Sequence, residues 1–205
     1  MNCSMNMMNQ AFFKAIVLLA LFCAPALMFA QPGKGYKVAS IGFYNLENLF
    51  DTIDSPDTND ADFLPKGRLS WNTEKYVSKQ ANMAKVIAQL ATELTPDGLA
   101  MLGVSEIENR KVLEDLVAQP ELKGRNYQIV HYDSPDERGI DVALLYQPKY
   151  FQVLGSQAAP VLLKDPKTGK ADYTRDILYV AGNFNGELIH LMVGHWPSRR
   201  GGEAG

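Results

Sequence analysis

Apolar blocks alternate along this chain with polar, turn-rich stretches, and their period changes from block to block. The segment from Tyr36 to Asn45, YKVASIGFYN, is rich in β-formers and too short for a core helix, which predicts a buried strand ending at Asn45. From Asn72 the period becomes helical. Tyr76, Met83, Ile87, Leu90 and Leu94 recur at helical spacing, Asn72 or Thr73 supplies a cap, and Thr95-Pro96 supplies the stop. GLAMLGVSE then reads as a second buried strand closing on Glu106, and NRKVLEDLVAQ as a short helix closed by Pro120. NYQIVHY and IDVALLYQ predict two more strands around the polar loop DSPDERG. FQVLGSQAAPVLL reads as an edge strand, because Pro160 cannot donate to a ladder. TRDILYVAG and ELIHLMVGHW form a hairpin turning at Asn185-Gly186. Strand, helix and strand followed by antiparallel strands give an α/β class with a mixed sheet partly covered by helices.

The first thirty residues follow a different pattern. Lys14 precedes the apolar stretch AIVLLALFCAPALMFA, which Pro25 interrupts and Ala30 closes. It is shorter than a bilayer-spanning helix requires, so residues 1–30 read as a signal peptide cleaved near Ala30–Gln31. The expected destination is secreted or periplasmic, with no stable membrane insertion after cleavage. Both cysteines, Cys3 and Cys23, lie in that leader, so the mature chain has no disulfide and depends on a packed core. About 175 residues remain, enough for one domain over 31–205. With 20 basic and 23 acidic residues the formal net charge is −3, and loss of the leader makes it one unit more negative. That balance excludes a general attraction to polyanions and leaves only local basic sites at Arg175, Arg199 and Arg200.

Asn45, Glu106 and His195 all fall at predicted strand ends. A strand-end carboxylate beside an amide side chain suits a hard cation such as Mg²⁺, which takes oxygen ligands and binds through one or two carboxylates plus substrate phosphate. The five aspartates at 51, 54, 57, 60 and 62 lack EF-hand spacing and read as a solvated loop over the cleft. His131 and His190 lie within predicted strands and read as structural, and Trp71 and Trp196 read as packing at the sheet edge.

FYNLENLFD at 43–51, GVSEIENR at 103–110, DERGIDVALLY at 136–146, TRDIL at 174–178 and GHWPSRRGG at 194–202 together resemble the successive motifs of the endonuclease/exonuclease/phosphatase superfamily, especially its secreted bacterial members. The resemblance implies the N-terminal portion of a DNase I-like two-sheet α/β sandwich with flanking helices. It implies Asn45 and His195 as catalytic residues, Glu106 as the metal-binding glutamate, and Arg175 and Arg199 on the substrate side. It further implies an Mg²⁺-dependent phosphoester hydrolase, with Mn²⁺ or Ca²⁺ as alternative ions and no protein partner. An endonuclease-like phosphodiesterase acting on nucleic acid comes first. A phospholipid or sugar-phosphate esterase is second, and a non-catalytic fragment is the reading from another class. Gly182-Asn183-Phe184-Asn185 looks like the family's Gly-Asp-Phe-Asn motif but carries Asn183 for aspartate and precedes GHWPS, so it reads as the hairpin turn. The true Gly-Asp-Phe-Asn and Ser-Asp-His segments do not occur in the 205 residues, and the domain is expected to be incomplete at its C-terminal side.

Overall fold

A computed structural model describes residues 38–56, 58–165 and 167–196. The expected signal peptide and Arg199 lie outside the described residues. Two sheets carry the site. In the first, β1 (Ser40–Leu49), β2 (Leu99–Ile107), β3 (Gln128–His131) and β4 (Asp141–Tyr146) are ordered β1-β2-β4-β3. β1 and β2 run parallel, joined by helix α1 (Thr73–Gln89), and β4 runs antiparallel to both β2 and β3. In the second sheet, β5 (Phe151–Ala159), β8 (Ile177–Phe184) and β9 (Glu187–Val193) are antiparallel in the order β5-β8-β9. A small ladder pairs β6 (Leu163–Lys164) with β7 (Ala171–Asp172).

The period-2 rule sorts side chains of the first sheet into two cores. Leu102 and Val104 of β2 and Ala143 and Leu145 of β4 face α1 and helix α2 (Arg110–Val117), where they join Ala84, Ile87, Leu113 and Leu116. Met101, Val142 and Leu144 point the other way and meet Phe151, Leu178, Val180 and Val193 of the second sheet. β2 and β4 are thus covered on both sides, which explains their nearly continuous apolar sequences. Full burial of each such side chain contributes about 1.5–3 kcal/mol. Gly103 allows the second sheet to approach, since a Cβ there would lie 3.2 Å from a methyl of Val193 and 3.2 Å from the Phe43 ring.

Asn72 caps α1 as expected, accepting from the Lys75 N–H, and Asn109 caps α2 by accepting from the Val112 N–H. Four boundaries differ from the sequence reading. The periodicity carried α1 to Leu94, yet it ends at Gln89, Ala91 takes φ 60°, and Leu94 is exposed. A tertiary contact accompanies the stop: the Arg125 guanidinium donates to the Ala88 carbonyl at 2.5 Å, an acceptor that a continuing helix would have used, and also to the Asp97 carbonyl. Pro120 does not close α2; it opens a further turn, α3 (Pro120–Lys123). β1 continues past Asn45 to Leu49 through an irregularity, and β2 ends one residue beyond Glu106. The hairpin turn falls at Asn185 and Gly186, both at positive φ. No helix among the described residues is long and apolar enough to cross a membrane.

Candidate active site

The topology brings one end of every relevant strand to a common edge. β1 and β2 end there, β4 begins there, and in the second sheet β8 begins and β9 ends there. Asn45, Glu106 and His195, which are 61 and 89 residues apart along the chain, therefore converge.

The backbone at this edge is unusual. Asn45 pairs with Ser105 and Leu49 with Ile107, so three residues of β1 bulge out against the single residue Glu106. Glu47 (φ 54°), Asn48 (φ 59°) and Glu106 (φ 58°) all occupy the left-handed region. Non-glycine residues held there cost of order 1–3 kcal/mol each, and such strain concentrates at functional sites. The bulge is held by its own polar atoms. The Asn45 Oδ1 accepts from the Glu47 N–H at 2.7 Å, and the Asn48 N–H donates to Glu106 Oε2 at 3.1 Å. The other carboxylate oxygen, Oε1, faces His195 Nε2 at 3.5 Å across the gap between the sheets.

His195 is held from behind through its backbone. Arg175 donates from Nε (3.2 Å) and Nη2 (2.9 Å) to the His195 carbonyl, while its Nη1 pairs with Asp136 Oδ2 at 3.0 Å. Arg175 and Asp136 are both 7% exposed. Arg175, expected on the substrate side, has a buried guanidinium bonded to Asp136 and to the chain at His195. Burial, followed by the nearby Arg175 charge, lowers the pKa of His195 and favours the neutral imidazole. Its Nδ1, Ser105 Oγ, Thr174 Oγ1 and Asp176 Oδ1 are buried without a hydrogen-bond partner among the described residues. Among the described residues the other such atoms are Gln80 Oε1 and Gln147 Oε1, so most of the unpartnered buried polar atoms gather at this edge, and proteins pair the large majority of such groups.

The donor set fits a hard divalent cation. Glu106 presents a carboxylate whose Oε1, among the described residues, faces only His195 Nε2 at 3.5 Å, and Asn45 adds an amide oxygen on the neighbouring strand. A second group, His131, Asp133 and Asp141, brings three ligand atoms within 4.8 Å of one another. There the Asp141 carboxylate is occupied by His131 Nε2 at 2.9 Å and by the Ser134 N–H and hydroxyl, which agrees with a structural histidine. His190 lies on the outer face of the second sheet against the Tyr179 hydroxyl.

The acidic loop is not simply solvated. Asp60 is buried and accepts from the Ser55 N–H, and Glu108, also buried, accepts from the Asp51 N–H at 2.7 Å and the Ser55 hydroxyl at 3.0 Å. Burial, with Asp51 and Asp60 nearby, pushes the Glu108 pKa up to about 7. Sequence reasoning missed Glu108, although it sits two positions from Glu106 just past the end of β2, and missed Asp136 inside a quoted motif. Trp71 donates to the Phe50 carbonyl and meets Phe63 edge-on, as a packing residue does, whereas Trp196 is exposed.

Two stacked sheets with helices on one side, and a carboxylate and an imidazole meeting at their shared edge, define an α/β sandwich with a polar centre at that edge. Residues 40–205 match the model of the Endonuclease/Exonuclease/phosphatase family, and the chain belongs to that family. No curated protein matches it. Among solved structures it is similar to a humanized D. rerio TDP2 carrying 14 mutations, at 14% identity over 79% of this chain and 49% of that one, with a TM-score of 0.45. It is also similar to the endonuclease/exonuclease/phosphatase from Bacteroides vulgatus, at 16% identity over 74% and 49%, with a TM-score of 0.43. A family protein from Bacteroides thetaiotaomicron matches at 18% identity over 74% and 48%, with a TM-score of 0.40. The chain spans about half the length of these structures.

Proposed function

We propose that this protein is a divalent-metal-dependent phosphoester hydrolase, with Mg²⁺ as the ion and a phosphodiester of nucleic acid as the first substrate class. The observation that carries the reading is Glu106 Oε1 facing His195 Nε2 at 3.5 Å, at an edge built from left-handed backbone in a chain of this family. Glu106 and Asn45 would hold the ion, which when bound neutralises phosphate charge and stabilises the leaving oxygen. His195, kept neutral by burial, donates a hydrogen bond from Nε2 to a phosphate oxygen and assists departure of the leaving group. Arg175 acts at one remove: its grip on the His195 carbonyl fixes where the imidazole stands. Arg199 remains a proposed substrate contact on the sequence resemblance alone. Phospholipid and sugar-phosphate esters are the second class, favoured by the net negative charge, which gives no general pull toward nucleic acid.

The test is hydrolysis of DNA, a phospholipid and a generic phosphodiester by the full-length protein with and without Mg²⁺. Glu106→Gln and His195→Ala are each expected to lose about 10²-fold or more in turnover. Glu106→Gln, nearly isosteric, should keep its melting temperature within a few degrees. Unchanged turnover in that variant would remove Glu106 from the site.

A further inference from the structure

The bulge that shapes the Glu106 edge is not held by β1 and β2 alone. From the middle of α1, Lys79 reaches to the end of β1 and its ammonium donates to the Glu47 carbonyl, with the Asn48 carbonyl at 3.4 Å. These are the two consecutive left-handed residues, and the Asn48 N–H is the group that binds Glu106 Oε2 at 3.1 Å. Glu47 in turn donates its N–H to Asn45 Oδ1. One side chain therefore touches both residues whose backbone sets the direction of the Asn45 amide and the Glu106 carboxylate. The ammonium also lies 5.7 Å from the centre of the Trp71 ring, whose own N–H is fixed on the Phe50 carbonyl. A groove of about 550 Å³ runs beside it between Glu47, Trp71 and the α1 side chains Lys75, Ser78 and Asn82. Lys75 is turned back onto the Leu69 carbonyl, and Lys79 onto the bulge, so neither side chain projects as a free cation into that groove.

We propose that Lys79 is a positioning residue for the metal edge: it clamps the Glu47–Asn48 bulge and thereby aims the Asn48 N–H and the Glu106 carboxylate. This deepens, and rests on, the reading of Glu106 as a metal ligand. The Asn48 carbonyl also accepts from the Phe50 N–H at 3.1 Å, so Lys79 is a second, longer donor there and bonds chiefly to Glu47, within the reach of a flexible amine from the crossover helix.

The experiment uses the full chain labelled with ¹⁵N and compares wild type with Lys79→Met, Lys79→Arg and Lys75→Met, reading the Asn48 amide and Mn²⁺ binding. In Lys79→Met the Asn48 amide resonance should move, its exchange with solvent should speed up by about tenfold, and the Kd for Mn²⁺ should rise by about tenfold. Lys79→Arg should restore most of each change, and Lys75→Met, one helical turn away, should leave the Asn48 amide and the Mn²⁺ affinity as in wild type. If Lys79→Met does not fold, Lys79→Gln, shorter and able to donate only weakly to the pair, gives the same two readouts. A folded Lys79 variant with an unmoved Asn48 amide and unchanged Mn²⁺ affinity overturns the proposal, as does an equal loss in Lys75→Met, which would make the effect one of helix stability. If Glu106→Gln binds Mn²⁺ as well as wild type, the metal reading of Glu106 fails, and the Asn48 amide alone then decides Lys79: movement supports the clamp and no movement overturns it.

Discussion

At the scale of single residues, the edge is built from groups whose polarity is managed by burial. Glu108 illustrates the cost. Its carboxyl is held up to about 7 from a usual 4.5 by burial and by the neighbouring charges of Asp51 and Asp60, against the opposing hydrogen bonds from the Asp51 N–H and Ser55. The folded chain thus keeps a proton that the unfolded chain releases. The associated stability is fully present below about pH 4.5 and is lost as pH rises toward 7, a loss of about 3 kcal/mol at ~1.4 kcal/mol per unit. Glu108→Gln should remove this slope. Urea unfolding at pH 5 and pH 8 is expected to show the difference between variant and wild type shifting in favour of the variant at pH 8. The comparison must be variant against wild type, because His195, with its lowered pKa, acts the other way: its contribution is lost as pH falls below about 6.5. A constant difference at both pH values would show that Glu108 stays ionised in the fold.

At the scale of elements, the contact between sheets depends on a missing side chain. Gly103 sits in the middle of β2 with Val193 on one side of its position and Phe43 on the other, both within 3.3 Å of where a Cβ would be. Neighbours this close in a packed core must shift to admit a branched side chain, and overpacking of this kind costs about 1–3 kcal/mol. Gly103→Val is therefore expected to lower the unfolding midpoint and, because Val193 leads directly to His195, to reduce turnover as well. Gly124→Ala is the control, since nothing lies within 4 Å of its position, and it should be close to neutral. Equal stability of the two variants in thermal unfolding would mean that β9 does not press on β2 as described.

At the scale of the whole molecule, the first thirty residues stand apart in their sequence pattern. We propose that residues 1–30 direct the protein to a secreted or periplasmic location, on the grounds of one basic residue, a short apolar run and a small closing residue. Protein recovered from a secreting host should begin at or near Gln31, as read by N-terminal sequencing. A chain starting at Met1 in the membrane fraction would overturn this. The mature surface also carries apolar groups, Leu188 and Met192 on the outer face of β9 and Ile41 and Phe43 on β1, each more than half exposed.

Much of this was legible in the sequence because local rules govern it. The cap at Asn72, the hairpin at Asn185-Gly186 and the buried strand read at 98–106 follow from periodicity and turn chemistry. Periodicity failed where a distant side chain intervened. Nothing local in Leu90–Leu94 announces that Arg125 will occupy the carbonyls of Ala88 and Asp97, so the helix was read too long. The partner of Arg175 was illegible for the same reason, because it is set by where Asp136, 39 residues earlier, lies in space. The left-handed bulge, the Lys79 contact and the buried Glu108 likewise arise only when β1, β2 and α1 are stacked. Sequence by itself determined most of the segments that form strands and helices. Tertiary structure decided which residues meet and which spend their charge on the fold, because pairing and burial belong to neighbours in space.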